Sequence, residues 1–91
     1  MSKTMKFDNK VVVVPGVSTG IGRVAAERFA QRGCHVFGTV RSIAKAKPIH
    51  GVKLVEMDVR DDASVHRGIQ SIIDEANRID VLVNNAGMMM L

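Results

Sequence analysis

The chain has 91 residues, of which 46% are apolar and 24% are charged; this composition fits one small globular domain and excludes a disordered chain. Its formal charge of +4 favours an anionic ligand, but the basic residues are scattered and the only aromatic residues are three Phe. Few side chains can therefore stack on bases, so nucleic-acid binding is not expected.

Cysteine, histidine and apolar runs exclude several further classes. Cys34 is the only cysteine, so we expect no disulfide and no cysteine-based zinc site, and we expect its side chain to be buried. The histidines lie too far apart to suggest a metal site (His35, His50, His66). Since the longest early apolar run has four residues, we expect no signal peptide or membrane partner, and a cytoplasmic location.

In chain order, residues 1–10 predict a loose N-terminal arm and residues 11–91 the folded domain. Val11–Val14 predicts a strand that is covered on both faces, because four valines offer no polar side. Glycines at 16, 20 and 22 follow, and a helix can open from about Ser18. The free N–H groups and positive dipole of such a helix start suit a phosphate. The alternative is a tight turn that binds nothing.

The first helix carries apolar residues at helical spacing, which predicts that they share one face; Gly33 then provides a left-handed end. These residues are Ile21, Val24, Ala25 and Phe29.

Further elements follow by the same criteria. We predict a second strand at 35–40, a turn or two of helix at 42–47 before Pro48, a third strand at 52–57, a helix capped by Asp61 or Asp62, a fourth strand at 79–83 and a turn at 84–87.

Strands that alternate with helical crossovers predict an α/β fold with a parallel sheet, here the first half of a Rossmann-like sheet, with strand order 3-2-1-4. In such sheets ligands lie beyond the carboxyl ends of the strands. Four polar clusters fall at those ends, which indicates a cofactor site: 16–22, 41–42, 58–59 and 84–87.

Three motifs resemble the N-terminal part of the short-chain dehydrogenase/reductase family, over about residues 7–87. They are Gly16-Val-Ser-Thr-Gly-Ile-Gly22, Asp58-Val59 and Asp80-Val-Leu-Val-Asn-Asn-Ala-Gly87. Three motifs at compatible intervals make a far more specific match than one glycine pattern.

The resemblance implies a site for a nicotinamide dinucleotide. The backbone of residues 16–22 would lie against the pyrophosphate and adenosine ribose, with Asp58 accepting from the adenine amino group and Val59 touching the ring. Alternatively, Asp58 is a solvated carboxylate and residues 84–85 form a turn that satisfies its own backbone. The implied cofactor-binding residues are Gly16, Ser18, Thr19, Gly20, Ile21, Gly22, Arg41, Ser42, Asp58, Val59, Asn85, Ala86 and Gly87.

Arg41 predicts a preference for NADP(H). Sheets that bind NAD usually carry an acid at the end of the second strand, whereas an arginine there can pair with a 2′-phosphate. Such a charge-assisted contact is worth roughly 1.5–3 kcal/mol. The alternative is an arginine that only faces solvent.

The chain departs from the family in two ways. Pro15 stands where threonine is usual, and since proline lacks an N–H and a hydroxyl, the tie from this turn to the neighbouring strand is in question. The chain also contains no tyrosine. The family's Tyr-x-x-x-Lys segment would lie beyond residue 91, so we expect no hydride transfer by this chain alone and name no catalytic residue.

The outer edge of the fourth strand, 79–83, is expected to be unpaired and apolar. Such an edge promotes pairing, so we expect self-association or docking of a missing C-terminal half. Besides the cofactor-binding half of an oxidoreductase, two alternatives stay open: a nucleotide-binding module without catalysis, and an interaction protein that uses the sheet edge.

Overall fold

The computed structural model describes residues 9–18, 20–84 and 87–90. The first eight residues of the predicted arm lie outside this part. Every predicted element from the first to the fourth strand is present, with boundaries within two residues of the prediction. The elements are β1 (Val11–Val14), α1 (Gly20–Gln31), β2 (His35–Val40), a 3₁₀ turn (Ile43–Lys45), β3 (Val52–Glu56), α2 (Asp62–Ala76), β4 (Val81–Asn84) and β5 (Gly87–Met90).

The strands form one sheet in the order β3-β2-β1-β4-β5. The first four are parallel, which confirms the predicted order 3-2-1-4. Val14 pairs with Gly38 and Val40 pairs with Glu56, so β1, β2 and β3 direct their carboxyl ends to the same edge of the sheet. This edge is where a parallel α/β sheet binds its ligands.

Helices cover both faces of the sheet. Val12 and Val14 pack in the cluster that contains Ala26 of α1, whereas Val11 and Val13 pack with Ile72 of α2. The four valines of β1 are buried, as the run of β-branched residues predicted. Cys34 is buried in the α1 cluster, which confirms its expected packing role. Neither α-helix in the described part has the length and apolar character needed to cross a membrane.

The predicted apolar face of α1 is only partly correct. Ala25 and Phe29 pack against the core, but Ile21 is 87% exposed and Val24 is 51% exposed. The fully buried residue is Ala26, with no exposed surface. Ala26 lies against the sheet because α1 begins in close contact with the turn after β1, whereas Ile21 and Val24 are left outside.

Asp61 is the N-cap of α2, which decides between the two predicted caps. Its carboxylate accepts hydrogen bonds from the N–H groups of Ala63 at 3.0 Å and Ser64 at 3.4 Å. Asn77 closes the helix in a left-handed conformation, with φ 71°. These two ends position the chain that leads from β3 across to β4.

The expectation that the outer edge of the fourth strand is unpaired is wrong. β5 pairs with β4 in antiparallel register, from Asn84 opposite Gly87 to Val81 opposite Met90. The physical reason is that β5 runs antiparallel beside β4, so its N–H and C=O groups pair with those of β4. Within the described part, β3 and β5 are therefore the edge strands.

Candidate functional site

The glycine turn between β1 and α1 leaves its backbone open. Gly16 and Gly20 have φ values of 68° and 64°, a left-handed conformation that favours glycine. A Cβ at either position would meet no atom within 4 Å, so the space over the turn is free. The first N–H groups of α1 have no acceptor within the helix, and the helix dipole is positive there. This cradle fits a pyrophosphate group.

Gly22 has a different task from Gly16 and Gly20. A Cβ at Gly22 would lie 3.0 Å from the carbonyl carbon of Gly16 and would overlap its oxygen. The third glycine therefore lets the first turn of α1 press against the backbone of the turn. It closes the cradle and does not itself leave space for a ligand.

Thr39 near the end of β2 ties this turn to the sheet. Its hydroxyl accepts a hydrogen bond from the N–H of Gly16 at 3.1 Å, and its carbonyl accepts one from the N–H of Val17 at 3.0 Å. Because residue 15 is proline, the turn has no hydroxyl of its own at that position, but Thr39 on β2 connects the turn to the sheet. Sequence reasoning missed Thr39, which is 1% exposed; the available signal was a hydroxyl within the predicted strand at 35–40.

Arg41 and Asp58 lie at the same edge of the sheet, where β2 and β3 end. The N–H of Met57 donates to the carbonyl of Val40 at 2.8 Å, which places the next residue of each chain segment at the same edge. Arg41 is exposed, and its positive charge contributes to lowering the pKa of Asp58. Ser42 follows and leads into the 3₁₀ turn. A cation and an anion thus lie at the same edge of the sheet, at the predicted ribose and adenine positions.

Arg60 holds the Asp58 carboxylate, a contact that sequence reasoning missed. Its Nε donates to Oδ1 and its Nη2 to Oδ2, both at 3.1 Å. The pKa of Asp58 is lowered to about 2, chiefly by the side-chain hydrogen bonds from Arg60 and secondly by the hydrogen bond from the backbone N–H of Arg60. Val59 between them is 63% exposed. The two-residue spacing was the only sequence signal for the pair.

Glu56 adds a second carboxylate near the end of β3. Its Oε1 accepts a hydrogen bond from the N–H of Ile43 at 3.1 Å, which holds the 3₁₀ turn after Arg41 and Ser42. The sequence placed Glu56 only within a strand. Its role here is to fix the segment that carries the predicted 2′-phosphate contact.

The predicted site residues fall into two groups. Those at the turn after β1, after β2 and after β3 come to one edge of the sheet, as the topology required. Gly87 is the first residue of β5 and pairs with Asn84, so these two residues are the ends of the predicted turn at 84–87. Thr19, Asn85 and Ala86 lie outside the described residues.

Across residues 9–18, 20–84 and 87–90, no three His, Cys, Asp or Glu side chains are grouped to hold a metal ion. An open, mostly apolar groove of about 550 Å³ runs along the start of α1, beside the glycine turn. Its lining consists of Gly20, Ile21, Arg23, Val24 and Ala25.

Comparison with known proteins identifies the family. Residues 10–91 match the family model described as short chain dehydrogenase. The chain belongs to the short-chain dehydrogenase/reductase family. This confirms the family resemblance, and members of this family use a nicotinamide dinucleotide, NAD or NADP.

Two curated relatives in this short-chain dehydrogenase/reductase family illustrate the match. Meso-2,3-butanediol dehydrogenase from Serratia marcescens is 38% identical over 90 residues, covering 92% of this chain and 36% of the relative. The 3-oxoacyl-[acyl-carrier-protein] reductase of Escherichia coli (strain K12) is 39% identical over 89 residues, again covering 92% and 36%. The chain thus spans about a third of the length of these relatives.

Solved structures show the same partial coverage. Ligand-free aldohexose dehydrogenase from Thermoplasma acidophilum gives a TM-score of 0.78 at 36% identity, over 89% of this chain and 31% of that one. The 3-ketoacyl-(acyl-carrier-protein) reductase from Brucella melitensis, solved with NADH, also gives 0.78, at 25% identity over 86% and 34%. The chain therefore matches about a third of each of these structures.

Proposed function

We propose that this chain binds NADP(H) and is the N-terminal cofactor-binding portion of an oxidoreductase that interconverts carbonyl and alcohol groups by hydride transfer. The observation that carries the proposal is the open glycine turn at the start of α1, at the same sheet edge as Arg41 and Asp58. The NADH bound to the Brucella reductase supports a dinucleotide as the ligand class.

Different residues of the site would bind different parts of the cofactor. Backbone N–H groups over residues 16–22 would hold the pyrophosphate, with the hydroxyls of Ser18 and Thr19 nearby. Asp58 would accept from the adenine amino group, Val59 would cover the ring, and residues 85–87 would line the ribose groove. When bound, the nicotinamide supplies or accepts the hydride. The protein's own contribution is to orient the dinucleotide by its phosphates and base.

We propose that the chain alone does not catalyse hydride transfer. Carbonyl reduction needs a proton donor near the substrate oxygen, and the sequence contains no tyrosine. The expected result is saturable cofactor binding without turnover. Activity restored by a co-expressed C-terminal fragment would support an oxidoreductase half, whereas binding without such restoration would favour a nucleotide-binding module that lacks catalysis.

Titration with NADPH and NADH tests the proposed cofactor. Arg41 would pair with the 2′-phosphate, so NADPH should bind more tightly by about 1.5–3 kcal/mol. Arg41→Ala should remove that difference while NADH affinity stays the same. Arg28→Ala on the exposed side of α1 is the matched control, since it removes the same charge away from the site.

The outcomes separate the parts of the proposal. Equal affinities for both cofactors in the unaltered protein and in Arg41→Ala would reject the NADP preference and leave the dinucleotide site standing. Failure of both cofactors to bind would reject the site, and would favour an interaction protein.

We also propose that the chain associates at the β4–β5 side of the sheet, with a second copy or with a C-terminal half. β5 has one unpaired edge within the described part. A partner strand that paired with residues 79–83 instead would have to displace β5. Analytical ultracentrifugation across a range of concentrations tests this. A monodisperse monomer at every concentration would contradict self-association.

A further inference from the structure

The Asp58 carboxylate is held by one residue at three points. Its Oδ1 accepts hydrogen bonds from the backbone N–H of Arg60 at 3.0 Å and from the Nε of Arg60 at 3.1 Å. Its Oδ2 accepts one from the Nη2 of Arg60 at 3.1 Å. The guanidinium therefore binds both carboxylate oxygens in a two-bond fork, a geometry that fixes the direction of the carboxylate.

The backbone of Asp58 is fixed as well. Its N–H donates to the hydroxyl of Ser64 in the first turns of α2 at 2.9 Å, and its carbonyl accepts from the N–H of Asp61. Hydrogen bonds thus fix both the backbone and the carboxylate of Asp58. Its solvent-exposed fraction is 34%, and that of the Arg60 side chain is 71%, so both face outward at the ligand edge.

Counting acceptor positions shows what the fork leaves open. A carboxylate offers about four acceptor positions, two on each oxygen. Arg60 fills both positions on Oδ1 and one on Oδ2. One acceptor position remains, on Oδ2, and it has a defined direction.

We propose that Arg60 is a positioning residue that sets the purine preference of this site, because its fork leaves Asp58 a single oriented acceptor for an exocyclic amino group. This inference rests on the proposed function, in which Asp58 meets the base. Adenine carries an amino group at its sixth position and can donate to that acceptor. Hypoxanthine carries a carbonyl oxygen there, which would meet a second acceptor and be rejected.

The electrostatics act in the same direction as the geometry. Arg60, and Arg41 more weakly, keep the carboxyl in its ionised form, which can only accept. A protonated carboxyl could instead donate to the oxygen of hypoxanthine, and the two bases would no longer be distinguished. Arg60 itself does not need to touch the ligand.

The experiment compares two dinucleotides that differ only at the base. NADP⁺ and its hypoxanthine counterpart are titrated into the chain by isothermal titration calorimetry at neutral pH. The unaltered protein should favour NADP⁺ by about tenfold or more, the smallest effect expected of one hydrogen bond to a charged group. Arg60→Ala should reduce this ratio by about three- to tenfold, since the acceptor loses its direction. Affinity for the hypoxanthine form should not fall.

Two further variants test positioning against charge alone. Arg60→Lys keeps the positive charge but cannot form the fork, so its base preference should resemble that of Arg60→Ala. Arg67→Ala removes an exposed arginine from α2 and should leave the preference unchanged. Thermal unfolding midpoints are measured for each variant, and because Arg60 is exposed they should stay close to that of the unaltered protein.

Each result supports or overturns the inference. A base preference that is undiminished in Arg60→Ala, or that Arg60→Lys retains in full, would overturn it while the dinucleotide site stands. The absence of any base preference in the unaltered protein would do the same. Binding of neither dinucleotide would instead reject the proposed function.

Discussion

The hydroxyl of Thr39 accepts the N–H of Gly16 across 3.1 Å and so joins the end of β2 to the turn after β1. The same residue's carbonyl accepts the N–H of Val17 at 3.0 Å. One residue on the neighbouring strand, through its side chain and its backbone, therefore holds the open turn to the sheet. This connection replaces the one that Pro15 cannot make.

Thr39→Val should test this tie, because valine keeps the shape and removes the acceptor. The N–H of Gly16 would lose its partner, and we expect the free energy of unfolding to fall by about 1–3 kcal/mol. Urea denaturation followed by circular dichroism measures it. Thr39→Ser is the control, since it retains the hydroxyl. If Thr39→Val were as stable as the unaltered protein, the hydrogen bond from Gly16 to Thr39 would not contribute to stability.

Gly22→Ala should disrupt the cradle sterically. The new Cβ would overlap the carbonyl oxygen of Gly16, which belongs to the backbone and cannot rotate away. We expect a loss of about 1–3 kcal/mol in unfolding free energy, as for overpacked cores, together with weaker NADPH binding because the turn is pushed open. The free energy of unfolding and the NADPH affinity are measured on the same preparation.

Gly16→Ala provides the contrast to Gly22→Ala. Its Cβ would have free space, so its cost should come only from the left-handed backbone, about 1–2 kcal/mol. If Gly16→Ala and Gly22→Ala weakened NADPH binding equally for the same loss of unfolding free energy, a separate steric role for Gly22 would be contradicted.

The prediction of the fold succeeded where the signal is local. The valine run of β1, the left-handed glycine after α1 and the Asp61 cap each follow from a few neighbouring residues, and alternation of strands and helices then dictates the parallel order. The tie from Thr39 to Gly16 could not be read in this way, because it joins residues 23 positions apart. The pairing of β5 with β4 is local, from Asn84 opposite Gly87 to Val81 opposite Met90, but no strand was predicted after the one at 79–83.

The buried face of α1 shows a second limit. Hydrophobic periodicity ranks Ile21 and Val24 above Ala26, yet the helix approaches the sheet so closely that the smallest side chain lies inside. Approach distance is a tertiary property, and it decides here between two possible faces. The exposed pair lies in the groove beside the glycine turn.

This reversal makes a matched pair of predictions on one helix. Ala26→Leu adds bulk at a position with no exposed surface and should lower the free energy of unfolding by about 1–3 kcal/mol. Val24→Ala removes bulk from a half-exposed position and should change it by less than about 0.5 kcal/mol. Chemical denaturation measures both, and a larger loss for Val24→Ala would show that the predicted face is buried after all.

Asp80 links the start of β1 to the segment before β4. Its Oδ2 accepts the N–H of Val11 and the Nε of Arg78, both at 2.8 Å, and its own N–H donates to the carbonyl of Val11 at 2.8 Å. The hydrogen bond from Val11, followed by that from Arg78, lowers the pKa of Asp80 below its ordinary value of 3.8. The ionised form is thus bound more favourably in the folded protein than in the unfolded chain.

The stabilising effect of Asp80 should therefore depend on pH in one direction. A carboxyl whose folded pKa is depressed stabilises fully above its unfolded value, and this stabilisation is lost as pH falls from 3.8 through the folded pKa. Asp80→Asn should be less stable than the unaltered protein at neutral pH and should approach it in acid. Urea denaturation at several pH values measures both curves. Asp58→Asn is the control, because it removes the other lowered carboxyl and leaves the Asp80 dependence intact. Parallel curves for Asp80→Asn and the unaltered protein would show that the contact with Val11 does not favour the ionised form.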